Sequence, residues 1–380
     1  MSIQEQTPDS AFEKFSPKYR YHEVEVFDVF ETPHHERITE SLHELEDMGF
    51  YGNPSVEDAL VRKRLSAIDY NNPATTELIA RVPGVEHWLS LVPTPRALAP
   101  LYNPAVAELP GGHVIGDELR TWMIEIADAR GLRHRSQMVT DLMIDTTLEH
   151  EPSPQQNWLS IASGAAQPIL QAAHILDQEY GNAPNMTLVD LSSEALNDAR
   201  HSADQLNLGS NLRSERMNVL RRQGLDKPVT LGEVAMHRVF NREDRAKLSR
   251  ERLMPESFDT VEAVGILEYM KPEDWTYKYN GVVTLKTIQA GAKTFLENSY
   301  RLVKPGGDLI VGNMLDTHPQ LGFTLNTIQW PHVQPRSIDS MMALFDAAGL
   351  DAERDVYVPA DEANRVYALY KIHKPEAQAD

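Results

Sequence analysis

Cysteine is absent from this chain of 380 residues, and basic residues are scarce. The lack of cysteine excludes disulfides, thiolate nucleophiles and zinc sites with cysteine ligands, and it fits a reducing compartment, so we expect a cytoplasmic protein. There are 36 Lys and Arg residues against 56 Asp and Glu residues, which gives a formal net charge of -20. Because so negative a surface repels phosphate backbones, the composition argues against a nucleic-acid partner.

Long apolar runs and several catalytic motifs are missing as well. No run reaches the roughly 18 apolar residues that a membrane span needs, and the polar start of the chain lacks a signal-peptide pattern. The histidines show no spacing typical of a metal site. Neither a nucleophile elbow with a Ser-His-Asp arrangement nor a GKS or GKT phosphate loop occurs. We therefore expect no membrane insertion, no bound metal, and neither hydrolase nor kinase chemistry.

The first 150 residues carry mainly helical patterns. Apolar residues recur three or four positions apart in HERITESLHELEDMGF, SVEDALVRKRLSAIDY, NPATTELIARV and DELRTWMIEIADARGL. Ser55, with Asp58 three residues later, is close to a capping box. Prolines interrupt residues 90–113, which predicts loops that alternate with short turns. We assign residues 1–150 to a mostly helical domain that covers the substrate.

After a polar linker at residues 148–157, short apolar runs alternate with helical patterns. WLSIAS, MTLVDL, RSERMNV, FDTVEAVGIL and GDLIVGNML predict strands, and QPILQAAHILDQEY, SSEALNDARHSADQLN and TFLENSYRLV predict helices between them. We expect the last of these helices to end at Lys304, before a tight turn at residues 305–307. Such alternation means parallel crossovers, so residues 151–380 are predicted to form an α/β domain with a doubly wound sheet.

The carboxyl ends of parallel strands are where ligands bind in such a sheet. After the first strand, the small residues Ala162, Ser163, Gly164 and Ala165 let the backbone come close to a ligand at a helix N-terminus. Asp190 closes the second strand and can accept both hydroxyls of a ribose, or it can serve only the cap of the next helix. Asn218 follows the third strand, where its amide can meet an adenine or face water.

Taken in order, these strand ends resemble those of class I S-adenosylmethionine (SAM)-dependent methyltransferases over about residues 150–372. LSIASGAA lies where that family has an acid and then Gly-x-Gly-x-Gly, and LVDLSSEAL matches its acidic second-strand motif. FDTVEAVGILEYM resembles the fourth-strand motif, and RLVKPGGDLIV resembles the entry to the fifth strand. GILEYM followed by TLNTIQWPHVQPRSIDSMMALFDAAGL is similar to a little-studied group of bacterial methyltransferases. In this chain Ser160 replaces the acid, and Ala162 and Ala166 replace two of the glycines.

The resemblance implies a Rossmann-like methyltransferase sheet that binds SAM. Arg135, on a helix before the first strand, would hold the methionine carboxylate or form a salt bridge. The loop around Gly164 would hold the methionine end of SAM, Asp190 the ribose and Asn218 the adenine. The full set of predicted cofactor-binding residues is Arg135, Ala162, Ser163, Gly164, Ala165, Asp190, Leu191, Ser192, Asn218, Val219 and Gly265.

The predicted reaction is methylation of a hydroxyl, amine or carboxylate on a small molecule. The N-terminal helices and loops at residues 265–280 and 315–336, which include Trp330, would enclose this acceptor. If the acceptor is a hydroxyl, Tyr269 or His318 would act as the catalytic base. Two alternatives stay open, namely transfer of an aminopropyl or aminocarboxypropyl group from the same cofactor, and SAM or nucleotide binding without catalysis. The acceptor stays unidentified, and a homodimer is our hypothesis for the oligomeric state.

Overall fold

In the computed structural model, the described residues are 19–26, 68–92, 95–103, 105–149, 156–227, 252–280, 284–330, 332–350 and 352–376. The predicted helix over residues 35–50 lies outside these ranges, as do residues 55–67 of the predicted helix over residues 55–70. The capping box at Ser55 and most of the charged insertion between the predicted third and fourth strands also lie outside them.

The described helices are α1 (Pro73–Arg81), α2 (Val85–Leu91), α3 (Pro95–Tyr102), α4 (Asp117–Glu125), α5 (Ala127–Glu149), α6 (Gln167–Tyr180), α7 (Ser193–Gln205), α8 (Ala292–Tyr300) and α9 (Ile338–Ala347). The described strands are β1 (Arg20–Val24), β2 (Glu108–Leu109), β3 (His113–Val114), β4 (Asn157–Ile161), β5 (Asn185–Asp190), β6 (Leu212–Arg216), β7 (Phe258–Ala263), β8 (Trp275–Asn280), β9 (Thr284–Gln289), β10 (Val303–Met314), β11 (Glu353–Pro359) and β12 (Tyr367–His373). None of the described helices combines the length and the apolar character that crossing a membrane requires.

Eight strands form the main sheet, in the order β1-β11-β12-β10-β7-β4-β5-β6. The pairs in this sheet are parallel except for the two that involve β12. The chain passes from β4 through β5 to β6 at one edge and then places β7 on the other side of β4. The prediction of an α/β doubly wound sheet is confirmed, and its topological switch point lies between β4 and β7, where ligands bind in folds of this kind.

The N-terminal region contributes a strand as well as helices. β1 pairs in parallel with β11 at the edge of the main sheet. The Arg20 guanidinium donates two hydrogen bonds to the Asp355 carboxylate, at 2.7 and 2.8 Å, and the His22 ring nitrogen Nε2 lies 2.7 Å from the same carboxylate. Burial opposes the charge of Asp355, but these hydrogen bonds lower its pKa below the usual range. Because these partners are more than 330 positions apart, no local pattern predicts the strand.

The prediction that the helix before the fifth strand ends at Lys304 was wrong. Helix α8 ends at Tyr300, and β10 begins at Val303, which pairs with Phe258 of β7. The Pro-Gly-Gly segment is an irregularity inside β10, since the register with β7 shifts between Val303 and Asp308. Gly306 adopts a φ of +76°, and its N–H donates to the Lys374 carbonyl at 2.8 Å. Long-range pairing here overrides the local turn signal.

Helix α5 lies close to the sheet and packs against α6 and β12. Gly131 makes this approach feasible, because a β-carbon at that position would lie 2.5 Å from the Cβ of Val366. Apolar residues of α2 and α4 share one buried cluster with Met314 and Phe323 from the sheet half of the chain. The helical layer therefore covers the sheet over a continuous core, while the predicted domain boundary near residue 150 stays a prediction.

Candidate functional site

The loop between β4 and α6 contains three residues in the left-handed region. Ala162, Gly164 and Ala166 have φ values of 57°, 54° and 53°. Glycine adopts such angles freely, whereas an alanine is strained there by roughly 1–2 kcal/mol. The two alanines thus have a backbone conformation that suits glycine, which is the residue expected at both positions from the methyltransferase resemblance.

Asp190 ties this loop to the beginning of α7. Its Oδ2 atom accepts a hydrogen bond from the Gly164 N–H at 2.9 Å, and its Oδ1 atom accepts one from the Ser192 N–H at 2.7 Å. The Ser192 hydroxyl oxygen caps α7 by accepting from the Ala195 N–H at 3.2 Å. Each oxygen of an ionised carboxylate has two lone pairs, so Asp190 can accept further hydrogen bonds. Its role at the helix start therefore does not compete with a role towards a ligand.

A cavity of about 730 Å³ lies along the carboxyl ends of β4, β5 and β7. This volume is within the usual range for small-molecule sites. Helices α3 and α5 form the opposite wall, through residues that include Leu98, Tyr102, Leu132 and Val139. The cavity brings together these residues singled out in the sequence: Arg135, Ala162, Ser163, Gly164, Ala165, Asp190, Gly265, Tyr269 and Trp330.

Four residues predicted to bind the cofactor lie outside the lining of this cavity, on the β6 side of Asp190. Leu191 follows β5 and is 45% exposed, and Ser192 caps the next helix. The side-chain oxygen of Asn218 accepts from the Leu220 N–H at 3.0 Å, and Val219 beside it is buried. The adenine contact predicted for Asn218 stays a prediction.

His318 is also outside the cavity, because its side chain is fully buried in the helical layer. The ring Nδ1 accepts from the Gln320 N–H at 2.9 Å, which leaves the proton on Nε2, 3.4 Å from the Asp128 carboxylate. The other carboxylate oxygen of Asp128 accepts from the Thr324 hydroxyl at 2.7 Å. This enclosed position argues against the predicted role of His318 as a base for a ligand in the cavity.

Arg135 is buried in the wall that α5 forms. One guanidinium nitrogen lies 3.2 Å from Oε1 of Glu268, the other donates to the Tyr102 hydroxyl at 2.8 Å, and Cζ lies 4.4 Å from the centre of the Tyr367 ring. Burial opposes its charge, but Tyr102, Tyr367 and Glu268 raise the pKa of Arg135 above its ordinary value. A permanently charged guanidinium therefore lines the cavity.

Glu268 and Tyr269 follow β7 and line the same cavity. Glu268 is buried, its Oε2 atom has no hydrogen-bond partner among the described residues, and burial raises its pKa although Arg135 acts in the opposite direction. The Tyr269 oxygen accepts from the Trp330 indole N–H at 2.9 Å, and burial raises the pKa of Tyr269. Because the phenol stays protonated at neutral pH, Tyr269 can donate a hydrogen bond but is a poor base.

Sequence reasoning missed Glu262 and treated Ser160 only as a lost acid. The two residues are cross-strand partners on β7 and β4. The Ser160 hydroxyl donates to Oε2 of Glu262 at 2.5 Å, and the Val264 N–H donates to Oε1 at 2.6 Å. Burial raises the pKa of Glu262 to about 7. The signal in the sequence was an acid, Glu262, in the interior of the strand FDTVEAVGIL and three residues after Asp259, but its partner became visible only with the strand register.

Arg336 fixes the segment after β7, which carries Glu268. Its buried guanidinium donates to the Leu267 carbonyl at 2.8 Å, to the Asn313 side-chain oxygen at 2.7 Å, and to the Met270 carbonyl. Arg336 and Ser337 are the adjacent Arg and Ser of the segment TLNTIQWPHVQPRSIDSMMALFDAAGL, on which part of the resemblance rests, and the contacts of the arginine are structural. At the serine, Ser337 caps α9 by accepting from the Ser340 N–H.

Comparisons with known proteins found no matching family model and no matching curated protein. Among solved structures, a possible exported protein from Bordetella parapertussis aligns with 91% of this chain and 100% of its own, at 16% identity and a TM-score of 0.53. An O-methyltransferase family protein from Burkholderia thailandensis aligns with 66% of this chain and 60% of its own, at 15% identity and a TM-score of 0.41. Magnesium protoporphyrin IX methyltransferase from Synechocystis, with bound S-adenosylhomocysteine (SAH), aligns with 65% of this chain and 87% of its own, at 11% identity and a TM-score of 0.41.

The mostly parallel sheet, with its switch point between β4 and β7, agrees with the doubly wound sheet predicted from the sequence. The chain has a Rossmann-like, doubly wound α/β fold. The similarity to the Bordetella protein covers nearly the whole chain and hence both the sheet and the helical layer. At 16% identity this similarity concerns the fold and specifies neither a substrate nor an activity.

The left-handed alanines give a direct test of the loop geometry. We expect Ala162→Gly to raise the free energy of unfolding by up to about 1 kcal/mol, because relief of strain outweighs the greater entropy of the unfolded chain. Ala165→Gly is the matched control, since Ala165 has no positive φ, and it should lower the free energy of unfolding by roughly 0.5–1 kcal/mol. Urea unfolding measures both, and equal destabilisation by the two changes would contradict the geometry.

Proposed function

We propose that the protein is a SAM-dependent methyltransferase that acts on a small-molecule acceptor. The observation that carries the proposal is the junction of Gly164 and Asp190, where a backbone loop and a carboxylate meet at the topological switch point beside the cavity. Ligands with a ribose and an extended polar end suit such a junction, because the carboxylate accepts from hydroxyls while the loop lets the ligand approach the backbone.

The residues of the cavity fit the chemical groups of SAM. Asp190 would accept from the two ribose hydroxyls, and the loop around Gly164 would lie along the methionine end. Arg135 would hold the methionine carboxylate, a role that suits a planar guanidinium. The two buried acids Glu262 and Glu268 would balance the positive charge that SAM carries on its sulfonium and ammonium groups.

The acceptor would lie where Tyr102, Tyr269, Trp330 and Tyr367 surround Glu268. SAM supplies an electrophilic methyl group when it is bound. This chain aligns and encloses the reactants, because methyl transfer gains mainly from orientation and from the exclusion of water. A hydroxyl or amine acceptor must lose one proton as its new bond to carbon forms, and we propose that Oε2 of Glu268 takes it. Glu268 replaces His318 and Tyr269 as our proposed base.

Binding of SAM tests the proposal most simply. We expect the wild-type protein to bind SAM in titration calorimetry and Asp190→Ala to bind it at least about 100-fold more weakly, since two hydrogen bonds to a charged group are lost and each is worth roughly 1.5–3 kcal/mol. Asp198→Ala is the matched control, because Asp198 is an exposed carboxylate on α7.

Thermal unfolding of both variants shows whether a loss of binding reflects a loss of the fold. This control is needed because Asp190 also accepts hydrogen bonds from two backbone N–H groups. No binding of SAM by the wild-type protein would overturn the assignment. Unchanged affinity in a folded Asp190→Ala variant would show that Asp190 does not bind the ligand, and it would contradict the observation on which the proposal rests.

The product of the cofactor identifies the group that is transferred. With SAM and a panel of small hydroxyl, amine and carboxylate compounds, we expect an active acceptor to release SAH, because only the methyl group leaves the sulfur. Mass spectrometry separates SAH from methylthioadenosine. Release of methylthioadenosine would instead indicate transfer of the aminocarboxypropyl group, or of an aminopropyl group if the carboxylate is first lost as CO₂, and would contradict methyl transfer.

A further inference from the structure

Glu262 is a buried carboxylate at the carboxyl end of β7 that faces the cavity. The residue is 5% exposed, and each of its carboxylate oxygens accepts one hydrogen bond from a neutral donor, either Ser160 or Val264. Each oxygen retains a lone pair for another donor. The residue lines the cavity together with Ser160, the loop after β4 and Gly265.

The charge of Glu262 has no direct counter-charge in the described part of the chain. No ion pair there includes Glu262, because the nearby Arg135 is hydrogen-bonded to Glu268 and Tyr102. A carboxylate removed from water without a cation is unfavourable, and the raised pKa of Glu262 expresses that cost. A buried acid of this kind, open to a ligand cavity, is suited to a cationic group on the ligand.

The position of Glu262 in the sheet compensates for the acid that is missing at position 160. Ser160 on β4 is its cross-strand partner and occupies the place where the methyltransferase resemblance expects an acid. The Ser160 hydroxyl donates to Glu262 instead. One carboxylate is therefore still present at this point of the sheet, but it comes from the neighbouring strand.

We propose that Glu262, oriented by Ser160, binds the α-ammonium group of SAM and replaces the carboxylate missing from position 160. This inference rests on the proposed function, because it requires SAM or a related amino-acid conjugate in the cavity. Arg135 lies on the α5 side of the same cavity and would take the carboxylate of the same amino-acid end. The ammonium and carboxylate of the ligand would then each meet an opposite charge.

Calorimetry on Glu262→Gln with three ligands tests the inference. SAM and SAH both carry the ammonium group, whereas methylthioadenosine lacks the whole amino-acid end. We expect Glu262→Gln to lower the affinities for SAM and SAH equally, by about 10- to 100-fold, and to leave the affinity for methylthioadenosine unchanged. Glu179→Gln, at an exposed position on α6, is the matched control for the loss of one negative charge and should bind all three like wild type.

A second variant returns the acid to the first strand. Ser160→Asp combined with Glu262→Gln restores one carboxylate at the same point of the sheet, and we expect it to recover most of the lost affinity for SAM and SAH. If Glu262→Gln does not fold, this double variant and Ser160→Ala decide the question. Ser160→Ala should then weaken SAM and SAH without affecting methylthioadenosine, because Glu262 loses the hydroxyl that orients it.

Three outcomes would overturn the inference. Wild-type affinity of Glu262→Gln for SAM and SAH would show that Glu262 does not contact the ligand, although the proposed function would survive. A lower affinity for SAM alone would place Glu262 at the sulfonium group and not at the ammonium group. An equal loss of affinity for methylthioadenosine would indicate general damage to the site and no specific contact with the ammonium group. Failure of the wild-type protein to bind SAM and SAH is a different result, because it would remove the proposed function itself.

Discussion

The hydrogen bond from the Gly164 N–H to the Asp190 carboxylate is the contact on which the candidate site depends. It joins the loop after β4 to the end of β5, and it holds that loop in a path with two left-handed alanines. Strained residues persist only where their surroundings hold them in place. The same carboxylate fixes the start of α7 through Ser192, so one side chain sets the positions of two strand ends and one helix start.

The second constraint is the balance of buried charge around the cavity. Arg135 forms an ion pair with Glu268 in the lining of the cavity, and Glu262 lies at the end of β7 with only neutral hydrogen-bond donors. Two buried carboxyl groups and one buried guanidinium therefore surround one cavity. Burying these charges is unfavourable without a ligand, but they are complementary to a ligand with two positive groups and one negative group. The architecture of the sheet explains why these groups meet, because β4 and β7 are neighbours at the switch point.

Local sequence patterns predicted individual helices and strand ends, and they failed where segments distant in the chain pair with each other. Helix α6 was predicted residue for residue, and Asp190 was identified from its place at a strand end. The edge strand β1, the early end of α8 and the pair of Ser160 with Glu262 depend on contacts across the sheet, and sequence spacing contains no information on strand register. For the same reason His318 was expected in a pocket and lies in the core of the helical layer.

An experimental structure of the protein with SAH at saturating concentration would test the proposed cofactor site most directly. We predict that the ribose hydroxyls lie within hydrogen-bond distance of the Asp190 carboxylate. We also predict that the amino-acid end of SAH lies between Arg135 and Glu262. A structure in which SAH lies elsewhere, or in which the cavity contains no SAH, would contradict the proposal that this cavity binds SAM.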